Sequence, residues 1–407
     1  MTSFTAPPIT FLAFENPLVV NDGYSSRVNG LFRQLAHAYP IHLVTLTRKP
    51  FTPDEQTQLE QIALRVTRIP RADRSSREKL LVGMRAVARR LPYHAALVEY
   101  SLTRHPSSIA ALPGINDRVY ANLLWWTLPL RIQRGAHWIL DQHNADVHFW
   151  QGYEQHSREP AVRLAARINR SLTADYCQQI YPHVGMIISV CEEDRDLTRA
   201  IYAGTPIEVV ENGVDCDYFV PAPKTCDQPT ILFTGTSAER NMQALRYFLR
   251  EVYPLVLTQI PNLRFVIGGN FSLQAQRELR QVQGIEFTGP VPDMRPVFQQ
   301  ARIFVNPFQQ AYGSKLKVSE ALAMGMCIVS LAEGVRGMPV VDRESVLLAH
   351  TNTEMAAILI EALHNPALVE RIAHNARTVA ETALDWRRVL GPRLRTITAG
   401  VWQEEGS

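Results

Sequence analysis

The reading of this 407-residue chain turns on one stretch: Phe308-Gln309-Gln310-Ala311-Tyr312-Gly313-Ser314-Lys315-Leu316-Lys317-Val318-Ser319-Glu320-Ala321-Leu322-Ala323-Met324-Gly325. It follows an apolar strand pattern, Ile303–Asn306, and opens a helical one near Gly313–Ser314. A helix N-terminus presents unpaired N–H groups and the positive end of a dipole, and an adjacent glycine lets a phosphate approach closely. Lys315 and Lys317 add charge beside that point, and Glu320 lies about two turns into the helix with acceptor oxygens suited to a ribose diol. A glycine–lysine helix start is equally what a plainly capped helix with solvated lysines looks like, so the stretch needs its surroundings.

Outward from it, short apolar strands alternate with helical patterns, the signature of parallel sheets with crossover helices. Strands are expected at Thr230–Thr234, Arg264–Ile267, Ile285–Phe287, Ile303–Asn306 and Cys327–Ser330, with helices at Ala244–Thr258 and Leu316–Met324. The first half predicts strands at Ile9–Phe14, Ile41–Leu46, Leu64–Ile69, Ala95–Glu99, Arg118–Ala121, Trp138–Asp141 and Met186–Val190, with helices at Ser25–Ala38 and Arg77–Leu91 between them. Glu211-Asn212-Gly213-Val214-Asp215-Cys216, followed by Pro221, Pro223 and Pro229, reads as a linker. The expected organisation is therefore two doubly wound α/β domains, 1–214 and 215–385, with a C-terminal helix, 386–407, that can fold back towards the first. Open α/β sheets bind ligands beyond the carboxyl ends of their strands, so sheets facing each other would line one cleft.

Composition narrows the class. The chain is 46% hydrophobic and 20% charged, as globular proteins are. Cysteines 177, 191, 216, 226 and 327 form an odd set without CxxC spacing, which fits reduced thiols better than disulfides or zinc. Met1–Pro8 has neither a basic nor an apolar signal region, and no apolar run is long enough to span a bilayer, so a cytoplasmic protein is expected. A net charge of +3 gives no reason to expect nucleic acid. Nine basic residues between Arg65 and Arg90 face only Asp73 and Glu78. Such a tract is either a solvated face or a surface for anionic lipid or an anionic acceptor, with peripheral contact at the inner face of a membrane as the sharper expectation.

The stretch 308–325 resembles the signature of family-4-type retaining glycosyltransferases of the GT-B fold, in the branch reading roughly G-[ST]-x-L-K-x-x-E-A-x-A-x-G. Other segments agree in order. Ile231-Leu232-Phe233-Thr234-Gly235-Thr236 with Arg240-Asn241 is similar to the first strand and loop of that family's nucleotide domain. Gly284-Ile285-Glu286-Phe287-Thr288-Gly289-Pro290-Val291-Pro292-Asp293 is similar to its base-side strand and turn, and Ser189–Asp194 with Glu211–Asp215 to its interdomain crossing. The resemblance covers residues 185–390 well and the first half loosely.

The resemblance implies a GT-B enzyme, two Rossmann-like domains facing across a cleft. It would move a sugar from a nucleoside diphosphate to a saccharide, lipid-linked or small-molecule hydroxyl, with retention and without metal or other cofactor. Glu320 would bind the ribose hydroxyls. Gly313, Ser314 and Lys315 would meet the diphosphate, Lys317 and Arg240 would neutralise the leaving phosphate, and Gly235 and Gly289 would shape the donor loops. Three positions depart from the family pattern. Tyr312 stands where many relatives have a second glutamate on the donor sugar, the phosphate-loop Arg/Lys pair is reduced to Arg240, and Glu211 replaces a proline. A catalytically silent nucleotide-sugar binder and a nucleotide-sugar epimerase or hydrolase of the same fold are the alternatives. A dinucleotide oxidoreductase is disfavoured, since no GxGxxG follows the first strand of either half.

In the first half, Trp138-Ile139-Leu140-Asp141-Gln142-His143-Asn144 puts His143 just past a strand end. A lone histidine there is often a buried or capping residue, but relatives carry one that approaches the donor sugar, with Asp141 able to orient it. In Asn21-Asp22-Gly23-Tyr24-Ser25-Ser26-Arg27 the loop starts a helix, and relatives use it on the acceptor side. Asp22, Gly23, Tyr24 and Arg27 are accordingly acceptor candidates, with a plain helix cap as the other reading. Glu99, at the end of the strand expected at Ala95–Glu99, is a further acceptor-side candidate. The run Leu123–Leu128 is core or an apolar contact patch.

Overall fold

The computed structural model describes the chain except residues 1–5, 21–22, 74, 107–117, 128–129, 131–136, 158, 224, 226–227, 281, 310–314 and 403–407, and the side chain of 156. It divides into two compact units: Met1–Glu211 with Leu390–Ser407, and Asn212–Ala311 with Lys315–Val389. The second unit thus starts three residues before the expected boundary at 215.

The first unit holds a parallel seven-stranded sheet in the order β3-β2-β1-β4-β5-β6-β7. Its strands are β1 Ile9–Phe14, β2 Ile41–Thr47, β3 Arg65–Pro70, β4 Arg118–Asn122, β5 His137–Asp141, β6 Met186–Ser189 and β7 Ile207–Val209. Every residue of β1 and β2 is buried, as parallel strands covered on both faces require. The described helices are α1 Gly23–Ala36, α2 Pro53–Ile62, α3 Ser76–Arg89, α4 Tyr93–Arg104, α5 Asp146–His156, α6 Pro160–Ile180 and α7 Glu192–Ile201. Capping boxes start α2 (Thr52 with Glu55) and α3 (Ser75 with Glu78), each side chain bonding the other's backbone N–H.

The second unit repeats the plan with six parallel strands, β10-β9-β8-β11-β12-β13. They are β8 Thr230–Thr234, β9 Arg264–Gly268, β10 Ile285–Gly289, β11 Ile303–Asn306, β12 Cys327–Leu331 and β13 Leu347–Ala349. Its helices are α8 Glu239–Tyr247, α9 Tyr253–Leu257, α10 Leu273–Leu279, α11 Arg295–Phe298, α12 Leu316–Ala323, α13 Ala332–Val335, α14 Asn352–His364 and α15 Pro366–Val379. After α15 the chain is extended at Asp385, and α16, Gly391–Trp402, which falls within the C-terminal helix expected at 386–407, belongs to the first unit. There Trp402 packs edge-on against Tyr39 and donates to the His137 carbonyl at 2.8 Å.

One expectation fails outright. Ala95–Glu99 is the middle of helix α4, not a strand. A five-residue apolar run has no period long enough to separate a buried strand from a buried helix. Here Ser101 and Leu102 continue the buried face that Ala95–Val98 begins. The run at Leu123 is core, with Leu124, Trp125 and Trp126 buried in a single 3-10 turn.

Candidate functional site

In the second unit, the carboxyl ends of β8, β9 and β10 are drawn together by backbone. Gly235 donates to the Gly268 carbonyl at 2.9 Å. Gly269 has φ +113°, and a Cβ there would lie 2.1 Å from the Gly235 oxygen, so the two loops pass too closely for any side chain. The Gly269 N–H donates to Thr288 Oγ1 at 3.2 Å, and that hydroxyl donates to the Gly289 carbonyl at 2.9 Å. Gly289 has open space around its missing Cβ but φ +71°, so its backbone, not crowding, calls for glycine. Beside this turn a concavity of about 500 Å³ is lined by Phe287, Thr288, Val291, Pro292 and Asp293 among others.

Lys317 lies in the first turn of α12. Its ammonium sits 4.7 Å from the centroids of both Phe233, at the end of β8, and Phe308, after β11. It donates to Asn241 Oδ1 at 2.8 Å. The Arg240 guanidinium also lies over Phe308, 4.8 Å from its centroid. Two cations therefore share one aromatic ring, a costly placement for like charges unless the ring quadrupole and an anion offset it. Burial, with Arg240 adding to it, pulls the Lys317 ammonium down to about 7. Burial likewise pushes the Glu320 carboxyl up to about 7, against the opposing pull of Lys317. Lys315 stands at the N-cap of α12, its carbonyl accepting from Val318 and Ser319 at 2.9 and 3.1 Å. Arg240, Lys317, Glu320 and Lys315 thus fall in one region with Gly235. Gly313 and Ser314, with Tyr312, lie outside the described residues. Phe233, Phe308 and Asn241 carry no chemical signature in sequence. The signal for Phe233 and Phe308 is position, at or just after strand ends, while Asn241 stands in the first turn of α8 beside Arg240.

In the first unit, His143 follows the end of β5. Its Nε2 lies 3.0 Å from Asp141 Oδ2, and its ring packs 4.8 Å from that of Tyr24, centroid to centroid. The Tyr24 hydroxyl accepts the Phe14 N–H at 2.8 Å, which fixes the tyrosine to the end of β1. Asp141 and Arg27 are both fully buried and pair through two bonds, Nε to Oδ2 at 3.0 Å and Nη2 to Oδ1 at 2.6 Å. Burial alone would raise the Asp141 carboxyl, but Arg27 and His143 outweigh it and hold it at about 2. Arg27 Nη1 donates to the Val210 and Glu211 carbonyls at 2.9 and 3.1 Å.

Two acceptor-side expectations are corrected here. Arg27 does not present its guanidinium to a ligand: the group is inside the domain, closing a chain Arg27–Asp141–His143. Glu99 is not at a strand end; it sits on α4 and pairs with Arg85 and Arg89 of α3 at 3.3 and 3.0 Å, joining two helices. Gly23 is the first residue of α1, and Asp22 lies outside the described residues. Among the described residues no three His, Cys, Asp or Glu side chains group to hold a metal ion, and no helix is long and apolar enough to cross a membrane.

Two doubly wound parallel sheets, of seven and six strands, are the architecture of the GT-B fold. The chain superposes on sucrose-phosphate synthase from Thermosynechococcus elongatus with a TM-score of 0.71, covering 98% of this chain and 100% of that one at 17% identity. Within that class, residues 228–365 match the family described as glycosyl transferases group 1. An uncharacterized 44.6 kDa protein in the cps region of Klebsiella pneumoniae is 26% identical over 168 residues, 39% of this chain and 43% of that protein. The GDP-mannose:cellobiosyl-diphosphopolyprenol alpha-mannosyltransferase of Xanthomonas campestris is 24% identical over 217 residues, 50% of this chain and 56% of that protein. The chain spans about half the length of the curated relatives it matches.

Proposed function

We propose that the protein is a glycosyltransferase that takes a hexosyl group from a nucleoside diphosphate held by the second domain. The acceptor is a hydroxyl held by the first. The observation that carries the proposal is the placement of Lys317. An ammonium desolvated over two aromatic rings, beside a second cation and at a helix start, is stabilised by an incoming diphosphate. Glu320, one turn further along α12, accepts from the ribose diol, and the turn at Gly289 and Val291 meets the base.

Breaking the sugar–phosphate bond builds negative charge on the departing diphosphate. Lys317, Arg240 and the first N–H groups of α12 are aimed at that charge before it forms, which is where electrostatic stabilisation lowers a barrier most. These groups supply the positive charge that a metal ion supplies in other transferases, so transfer proceeds without one. The acceptor attacks on the face that the leaving phosphate vacates, its proton passing to the phosphate oxygen, and the configuration is retained. His143, oriented by Asp141 and packed on Tyr24, contacts the donor sugar. The curated Xanthomonas relative acts on a diphosphopolyprenol-linked sugar, which favours a lipid-linked acceptor over a soluble one.

The test is a thermal-shift screen of UDP, GDP, ADP, TDP and NAD on the full chain, since a ligand that binds only the folded state raises its melting temperature. The sugar nucleotide of the best binder is then assayed for turnover, with and without EDTA. One diphosphate should stabilise the protein, and EDTA should leave turnover intact. Stabilisation by none of them, or a strict metal requirement, contradicts the proposal. Tyr312 at the position of a donor-sugar glutamate favours one other reading, a silent binder, which would bind the donor and never consume it.

A further inference from the structure

Residues 214–221 have the composition of a linker, yet they are tied down within the second unit. The Val214 N–H donates to the Leu384 carbonyl at 2.9 Å, and the Val214 carbonyl accepts from Trp386 at 3.1 Å. The tie to α12 is made by one side chain, Arg377 of α15. Its Nη1 donates to the Phe219 carbonyl at 2.5 Å and the Ala323 carbonyl at 2.6 Å, and its Nη2 to the Cys216 carbonyl at 2.9 Å. Its Nε and Nη2 both lie 2.8 Å from Glu381 Oε1. Every N–H of the guanidinium is thereby engaged. Ala323 is the last residue of α12, so its carbonyl is one that the helix itself leaves unpaired, at the negative end of the dipole. A second contact lies beside it. Gly325 has φ +59°, and a Cβ there would come within 3.3 Å of Pro221 Cγ.

We infer that Arg377 is a positioning residue for the donor: by holding the end of α12 to segment 214–219, it sets where Glu320 stands. The inference rests on the donor reading, because it takes Glu320 as the group that meets the ribose. Glu320 lies one turn before Ala323, and its carbonyl accepts from Met324 at 2.9 Å in the same last turn. Its eight residues make α12 only about 12 Å long, so a shift of its end is felt at Glu320. A guanidinium suits the task because its rigid planar fork spaces the carbonyls it binds, which a flexible lysine ammonium does not. Its charge also faces the negative end of the α12 dipole. The competing account is a role in folding alone, since an arginine bridging three carbonyls also stabilises the domain. The two accounts part at Glu320, because only a positioning role needs that carboxylate for its effect on binding.

The test is a double-mutant cycle on affinity, read by calorimetric titration of the full chain with whichever of UDP, GDP, ADP and TDP the wild type binds best. Arg377→Met should lower affinity roughly tenfold when Glu320 is present, and less than about twofold in the Glu320→Ala background. Arg377→Lys keeps the charge but not the fork, and should fall between wild type and Arg377→Met. The cycle is run with the lysine variant if the methionine variant fails to fold, and the loss should again vanish without Glu320. Asn375→Ala cuts a bond from the same α15 to the Glu344 carbonyl at 2.9 Å, away from α12, and should leave affinity unchanged. Melting curves report the folding cost of each variant separately. Wild-type affinity in a folded Arg377 variant, or an equal loss in both backgrounds, would overturn the inference and leave Arg377 a structural tie. Wild-type affinity in Glu320→Ala would overturn the donor reading, and this inference with it.

Discussion

The two domains are built alike and treat charge in opposite ways. In the first, the buried Arg27–Asp141 pair is closed within the protein, with two mutual bonds and two backbone carbonyls taking the remaining donor. In the second, Lys317 and Arg240 share the face of Phe308, and Lys317's hydrogen bond goes to an amide oxygen, not a carboxylate. The first arrangement is complete without a ligand and shifts Asp141 further into its charged form. The second shifts Lys317 and Glu320 towards their neutral forms, a state that an anion and a diol would reverse. On the proposed function, the first is scaffolding for His143 and the second a site that a ligand completes.

The comparison breaks most visibly at Arg27. Removing one partner of a buried ion pair leaves an uncompensated charge, so Arg27→Ala should cost about 3–5 kcal/mol, read by denaturant unfolding of the full chain. Lys317→Ala should do the reverse, leaving stability near wild type while turnover falls by about a hundredfold to a thousandfold, the scale of losing one charge-stabilising donor. If Arg27→Ala unfolds no more easily than Lys317→Ala, the contrast between the domains is wrong.

His143→Ala sharpens the comparison inside the first domain. It should lower kcat on the order of a hundredfold, as a mispositioned reacting sugar does, with nucleoside diphosphate affinity within a few fold. Unchanged kcat would make the histidine a packing partner of Tyr24 and nothing more. The smallest effect is in pH. Glu320 must be ionised to accept from the diol, so affinity falls as pH drops below about 7. Lys317 must be charged to meet the diphosphate, so affinity also falls as pH rises above about 7. Glu320→Gln should flatten the acid limb, and Lys317→Arg, which stays charged, the alkaline one. Titrations at several pH values read both limbs.

Much of this was legible in the sequence, for identifiable reasons. Fully buried parallel strands leave uninterrupted apolar runs, so β1, β2, β8 and β11 could be read within a residue or so. The 308–325 stretch singled out Lys317 and Glu320 only together with the other segments that resemble the family in order, since a charged helix start alone also fits a plainly capped helix. Short runs fared worse. Ala95–Val98 is as apolar as a strand, and only the continuation to Leu102 shows a helix. Arg27 looks in sequence like any surface arginine after a turn; its burial depends on Asp141, 114 positions away. The Phe233–Phe308 box depends on the order of β8 and β11.

The central claim is that the donor's nucleoside diphosphate sits on α12, and Glu320 tests it most directly. A carboxylate accepting both ribose hydroxyls makes charge-assisted bonds, and losing them costs on the order of 1.5–3 kcal/mol. Calorimetric titration of the preferred nucleoside diphosphate should show affinity lower by roughly tenfold to a hundredfold for Glu320→Ala, and by less for Glu320→Gln, with melting curves unchanged. Wild-type affinity in a well-folded Glu320→Ala variant would contradict the account and remove the donor from this helix.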